Sequence, residues 1–140
     1  MNASRWTHVL VVLGLMYSFA SPARADSKPT VIAVINRAEW CSVCKTHGER
    51  AGKAIMAANA DGALQLVVND MTSDATTKQS AVALKAVGLD RAMALYTATG
   101  VLYLFDAATK RPLAQVTVAN TDQEIKMAID LARKAAAHRP

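Results

Sequence analysis

One feature constrains the fold most: a short apolar run, Val31-Ile32-Ala33-Val34-Ile35, set just ahead of a Cys-x-x-Cys pair. Four of its five residues are β-branched, which favours a strand over a helix. Successive strand side chains point to opposite faces. A run that is apolar at every position is therefore buried on both faces, and both need a covering layer. That points to an α/β architecture rather than a helix bundle or a half-solvated antiparallel sheet.

The rest of the chain supplies the layers. Residues 43–60 carry Ala51, Ile55 and Ala58 at helical spacing, and Asp61-Gly62 closes the segment. Leu64 to Asn69 reads as a second strand. Ser73 or Asp74 caps a helix reaching Val87, with Val82 and Ala86 on its apolar side and Gly88 at its end. Residues 89–99 read as a helical turn followed by a loop. Val101–Phe105 and Leu113–Val118 form a hairpin joined by the polar link from Asp106 to Arg111. Thr121 and Glu124 match a capping box, and Ile125, Ala128, Ile129 and Ala132 make the stripe of a last helix. Arg133-Lys134 complement its dipole. Met56, Met71 and Met127 fall at positions read as core filler. The order is β-α-β-α-β-β-α. Crossover rules make the first strands parallel, and the hairpin adds an antiparallel pair. The expectation is a four-stranded mixed sheet with helices on both faces.

The amino terminus has its own pattern. Arg5 precedes an apolar core from Val9 to Ala20, and Ala23-Arg24-Ala25 offers small residues at a cleavage site. This predicts a signal peptide over 1–25, cut after Ala25, and a single domain over 26–140. The apolar core is shorter than the ~20 residues of a spanning helix, so no membrane span is expected after cleavage. The expected location is the periplasm, or outside the cell. The removed segment carries Arg5 and Arg24 and no acid, so a net charge of +5 becomes +3. That is ordinary for a small soluble domain, and no basic-aromatic motif points to nucleic acid.

The chemistry lies in Trp40-Cys41-Ser42-Val43-Cys44-Lys45, after a strand and at a helix start. Two cysteines three apart close a small disulfide ring. Only a thiolate attacks, so the reactive thiol must ionise readily. Unpaired N–H groups and the dipole at a helix N-terminus favour that. Cys41 is placed to benefit, and Cys44, a turn further in, is expected to be the more buried, resolving thiol. Lys45, His47, Arg50 and Lys53 add positive charge nearby, and Glu39 opposes it. Other readings stay open. A purely structural disulfide gains little from so short a loop. A c-type haem needs His directly after the second Cys, where Lys45 stands. Cys41, Cys44 and His47 together could hold a soft metal such as Cu(I), in a copper-handling module. A non-catalytic interaction domain is a third reading.

The motif Ala38-Glu39-Trp40-Cys41-x-x-Cys44-Lys45, after Val31–Ile35, resembles the thioredoxin active-site region. The element order resembles thioredoxin over most of 30–137. The resemblance implies an exported thiol–disulfide oxidoreductase, with Cys41 as nucleophile and Cys44 as resolving thiol. It implies a substrate surface at Trp40, Thr99 and Gly100, and no cofactor. The flanking residues favour a reductase of protein disulfides, whose clients carry thiols or disulfides and whose supply in an oxidising compartment is a membrane electron donor. Departures accompany the resemblance. The stretch before the first strand is too short for thioredoxin's own first strand and helix. Ile35 stands where the family places a buried Asp, and Val67 where it places a Lys. Thr99-Gly100 replace the cis-proline loop. A cis bond without proline costs ~3 kcal/mol, so a trans bond is expected there. Residues 88–99 read as an insertion in which Met93, Leu95 and Tyr96 either pack or form a partner surface.

Overall fold

A computed structural model describes residues 28–138. The signal peptide expected over 1–25 lies outside the described residues. The elements are β1 (Val31–Arg37), α1 (Ser42–Ala58), β2 (Leu64–Asp70), α2 (Asp74–Ala86), α3 (Asp90–Met93), β3 (Val101–Asp106), β4 (Pro112–Thr117) and α4 (Asp122–Ala137). The sheet order is β2-β1-β3-β4. β1 runs parallel to β2 and antiparallel to β3, and β3 runs antiparallel to β4. The expected mixed sheet is present. The helical turn expected in 89–99 is α3, a single turn between α2 and β3.

Alternation along β1 builds two cores. Val31 and Ala33 face a layer made by Ala51 and Ile55 of α1 and Ile125, Ile129 and Ala132 of α4. Ile32 and Val34 face Leu84 of α2, Leu89 and Met93, with Tyr103 and Phe105 beside them on β3. Helices thus cover both faces, as a doubly apolar central strand requires. Burying a side chain the size of Ile129 stabilises by about 1.5–3 kcal/mol. This is a thioredoxin-like fold: a parallel β-α-β crossover, an antiparallel hairpin, and a dithiol where β1 hands over to α1.

Capping explains the element boundaries. Ser73 accepts from the Thr76 amide and Thr76 returns the bond, which starts α2. Thr121 and Glu124 do the same for α4, as the sequence pattern predicts.

Several expectations need correction. The buried side of α2 is Ser80 and Leu84, whereas Val82 and Ala86 are exposed. Ser80 is turned inward because its hydroxyl accepts the Asp70 amide at 2.9 Å, and this sets the helix rotation on β2. Met56 and Met127 are also exposed, and Met71 is half-buried. Met56 borders the uncovered edge strand β2, and Met127 lies on the outer side of α4. The last strand starts one residue earlier than read and stops before Val118. A register shift at Leu104/Phe105 displaces that pairing. In the 88–99 stretch Met93 is buried and Tyr96 packs on Tyr103 and Phe105, while Leu95 is exposed.

Candidate functional site

The site forms where β1 ends. Ala38, Glu39 and Trp40 turn the chain, and the Cys41 amide donates to the Ala38 carbonyl at 3.2 Å. A polar relay fixes this turn from β2. The Arg37 guanidinium lies 3.4 Å from the Asp70 carboxylate, Thr72 donates to Asp70 at 2.5 Å, and the Glu39 amide donates to the Thr72 hydroxyl at 3.0 Å. The Thr72 hydroxyl and amide hold the Asp70 carboxyl below its ordinary 3.8, and Arg37 adds to this.

Cys41 is the N-cap of α1, and its carbonyl accepts the Lys45 amide at 3.1 Å. Its sulfur accepts the Cys44 amide at 3.1 Å. No acidic residue occupies the first turn of α1. The partial positive charge of a 17-residue helix therefore acts on the sulfurs with no opposing carboxylate in the helix's own first turn. Cys41 and Cys44 form a disulfide, with Cα atoms 5.3 Å apart.

The opposing loop is held by Asn36, fully buried at the end of β1. Its side-chain amide donates to the carbonyls of Tyr96 (2.7 Å) and Ala98 (3.2 Å). Its oxygen accepts Nδ2 of Asn69 at 2.8 Å. Its main-chain carbonyl accepts the Gly100 amide at 2.8 Å, and the Gly100 carbonyl accepts the Val118 amide at 2.8 Å. The sequence signal of Asn36 is faint: a polar amide after the apolar run of β1. The Thr99–Gly100 bond is trans, as expected, and Gly100 has φ +74°. A Cβ there would sit 3.3 Å from Val43 Cγ1 and 3.6 Å from the Cys41 sulfur. Gly100 is the residue that lets this loop lie against the disulfide.

This cover reverses the expected burial of the two cysteines. Cys41 is 6% exposed against Gly100, whereas Cys44 is only half-buried. Cys44 lines an open groove of about 700 Å³ between β1, α1 and Val118. Ile35, half-buried, lines the same groove, together with the charged Arg37, Glu39, Lys45 and Glu49. Val67 packs on the other side of the sheet and does not line it. Trp40 is 62% exposed beside Cys41. Gly100 thus lies against Cys41, with Thr99 before it in the loop and Trp40 next to Cys41 in sequence, and Cys44 lines the groove. His47 is not brought together with the cysteines: among the described residues no group of three or more His, Cys, Asp and Glu is arranged to hold a metal. Also among the described residues, no helix is long and apolar enough to cross a membrane.

No protein-family model matches the chain. No curated protein matches it. Among solved structures, the crystal structure of Trxlp from Edwardsiella tarda EIB202 is similar, at 18% identity. The match covers 79% of this chain and 92% of that one, with a TM-score of 0.47. The fold assignment rests on strand order and register. A helix-capping Cys-x-x-Cys disulfide on that fold is equipped for thiol–disulfide exchange.

Proposed function

We propose that the protein is an exported thiol–disulfide oxidoreductase that reduces disulfides of client proteins. The observation that carries the reading is the Cys41–Cys44 disulfide at the N-terminus of α1, with the Cys44 amide on the Cys41 sulfur. In the reduced pair, that amide and the helix dipole stabilise a Cys41 thiolate. Cys41 attacks a client disulfide, a mixed disulfide forms, and Cys44 displaces the client thiolate. Trp40, Thr99 and Gly100 supply the client surface. A membrane dithiol donor restores the reduced pair. Export rests on the Arg5, Val9–Ala20 and Ala23-Arg24-Ala25 pattern.

The test is turnover of a protein disulfide such as insulin, with dithiothreitol as reductant. The wild type accelerates the reaction, and Cys41→Ser removes the acceleration. Equal turnover by Cys41→Ser would overturn the assignment. Export is checked separately by the mass of the protein recovered after expression with its natural amino terminus, which should begin at Asp26.

A further inference from the structure

We infer that β2 is the pairing edge for a second copy of this chain, joined antiparallel about a two-fold axis at Val67. This pairing is independent of the redox reading above, and no cysteine lines the apolar hollow beside that edge.

The two edges of the sheet are built differently. β4 opens on Pro112, and its pairing with β3 is displaced by the shift at Leu104/Phe105. Proline and irregular pairing are ordinary means of blunting an edge. β2, at the other edge, carries neither proline nor lysine from Leu64 to Asp70. On the α1 side its exposed side chains are apolar: Leu66 is 38% and Val68 51% exposed, and the exposed Met56 of α1 flanks them.

The open part of this edge is short, and the chain itself sets its limits. Main-chain groups of successive strand residues point to opposite neighbours. The Ala63 carbonyl accepts the Thr30 amide and the Met71 amide donates to the Arg37 carbonyl, so odd-numbered residues of β2 face β1. Even-numbered residues face out. Leu64 is closed there by Asn59, whose side chain accepts the Leu64 amide at 2.8 Å and donates to the Leu64 carbonyl at 3.1 Å. Asp70 is closed by Ser80, whose hydroxyl accepts the Asp70 amide at 2.9 Å. Leu66 and Val68 remain. Among the described residues, no group bonds their main chain on the outer side.

That window selects the occupant. A second β2 laid antiparallel sets Leu66 against Val68 of the second copy and Val68 against Leu66 of the second copy. Each open residue then exchanges both its N–H and its C=O bond. A register shifted by one pairing sets an open residue against Leu64 or Asp70, which are already satisfied. Charge does not oppose the match: Leu64 to Asn69 are uncharged, and the Asp70 carboxylate, opposite Leu64 of the second copy, is paired with Arg37. The Leu66 and Val68 side chains of the two copies meet on the α1 side and bury each other. So short an interface falls below the ~1,200 Å² of standard ones, so the dimer is weak, with a dissociation constant between about 10 μM and 1 mM. The dithiol follows β1, and β1 is parallel to β2, so the two-fold leaves the two disulfides at opposite ends of the joined sheet.

Sedimentation equilibrium of the purified, oxidised protein from about 10 μM to about 1 mM is the test. The expected result is a monomer–dimer equilibrium within that range. Val68→Lys puts a charge into the window at an exposed position, so its insulin turnover should stay that of the wild type while its dimer weakens at least about ten-fold. Amide exchange gives a second readout: the Leu66 and Val68 amides should exchange several-fold more slowly at the top of the concentration range than at the bottom. A protein that stays monomeric throughout, whether or not an extended client peptide protects the same two amides, would overturn the inference. So would a dimer that Val68→Lys leaves intact. Either result leaves the oxidoreductase reading standing, whereas a wild type without insulin turnover would overturn that reading and not the pairing.

Discussion

Asn36→Ala should destabilise the protein by about 3–4 kcal/mol. The figure comes from the bonds at the end of β1. Asn36 is 0% exposed and makes three side-chain hydrogen bonds, to Tyr96, Ala98 and Asn69. Each bond lost is worth about 1 kcal/mol net, and a buried group left unpaired costs about 1–3 kcal/mol. The two loop carbonyls belong to a surface segment and can turn to water. Asn69 is 7% exposed and cannot, so its amide bears the larger penalty. At about 4 °C per kcal/mol for a domain of this size, the midpoint of thermal unfolding should fall by about 12–16 °C. Urea unfolding of the oxidised wild type, Asn36→Ala, Asn69→Ala and the double variant gives the loss and its coupling. The two sites share one bond, so their effects should fall short of additive by about 1 kcal/mol or more. A loss under about 1 kcal/mol, or strict additivity, would refute the claim that this buried pair fastens the loop over Cys41.

Two other outcomes follow from single sites. Gly100→Ala puts a side chain at φ +74° and within 3.3 Å of Val43, so it should cost about 1–2 kcal/mol and loosen the loop; urea unfolding and exchange of the residue-100 amide measure both effects. Thr121 holds the exposed Glu124 carboxyl below its ordinary 4.5, through its amide and hydroxyl. A lowered folded value means the stabilisation is present above the ordinary 4.5 and is lost as pH falls through the lowered folded value, so Thr121→Ala should flatten the acid limb of the stability curve below 4.5 as well as removing a cap worth about 1 kcal/mol.

Strands were the most legible part of this chain, because the doubly apolar run at Val31–Ile35 admits few alternatives. The capping box at Thr121 was equally readable, since its chemistry is local. Faces were harder. Val82 suits the inside of a helix by hydrophobicity, yet Ser80 is inside, because a hydrogen bond to the Asp70 main chain decides the rotation. The cysteines show the same limit. Local position placed Cys41 outside and Cys44 inside; a loop 59 residues further along the chain covers Cys41 instead. Asn36 was silent for a related reason: its partners are a β2 side chain and a loop that comes beside it only through the sheet. The Cys-x-x-Cys pair was found at once because its spacing and its place after a strand are both local.

The most direct test of the account is a redox titration of the Cys41–Cys44 couple in residues 26–140. Trp40 adjoins Cys41 and is the only tryptophan of that segment, so its fluorescence can follow the titration, with thiol alkylation as a check. The account predicts a reversible two-electron transition with a midpoint near ~−270 mV, in the range of protein reductants. A midpoint of ~−120 to −180 mV would contradict a reductase and mark an oxidant or isomerase. A pair that forms no disulfide under mild oxidation would contradict the redox couple altogether.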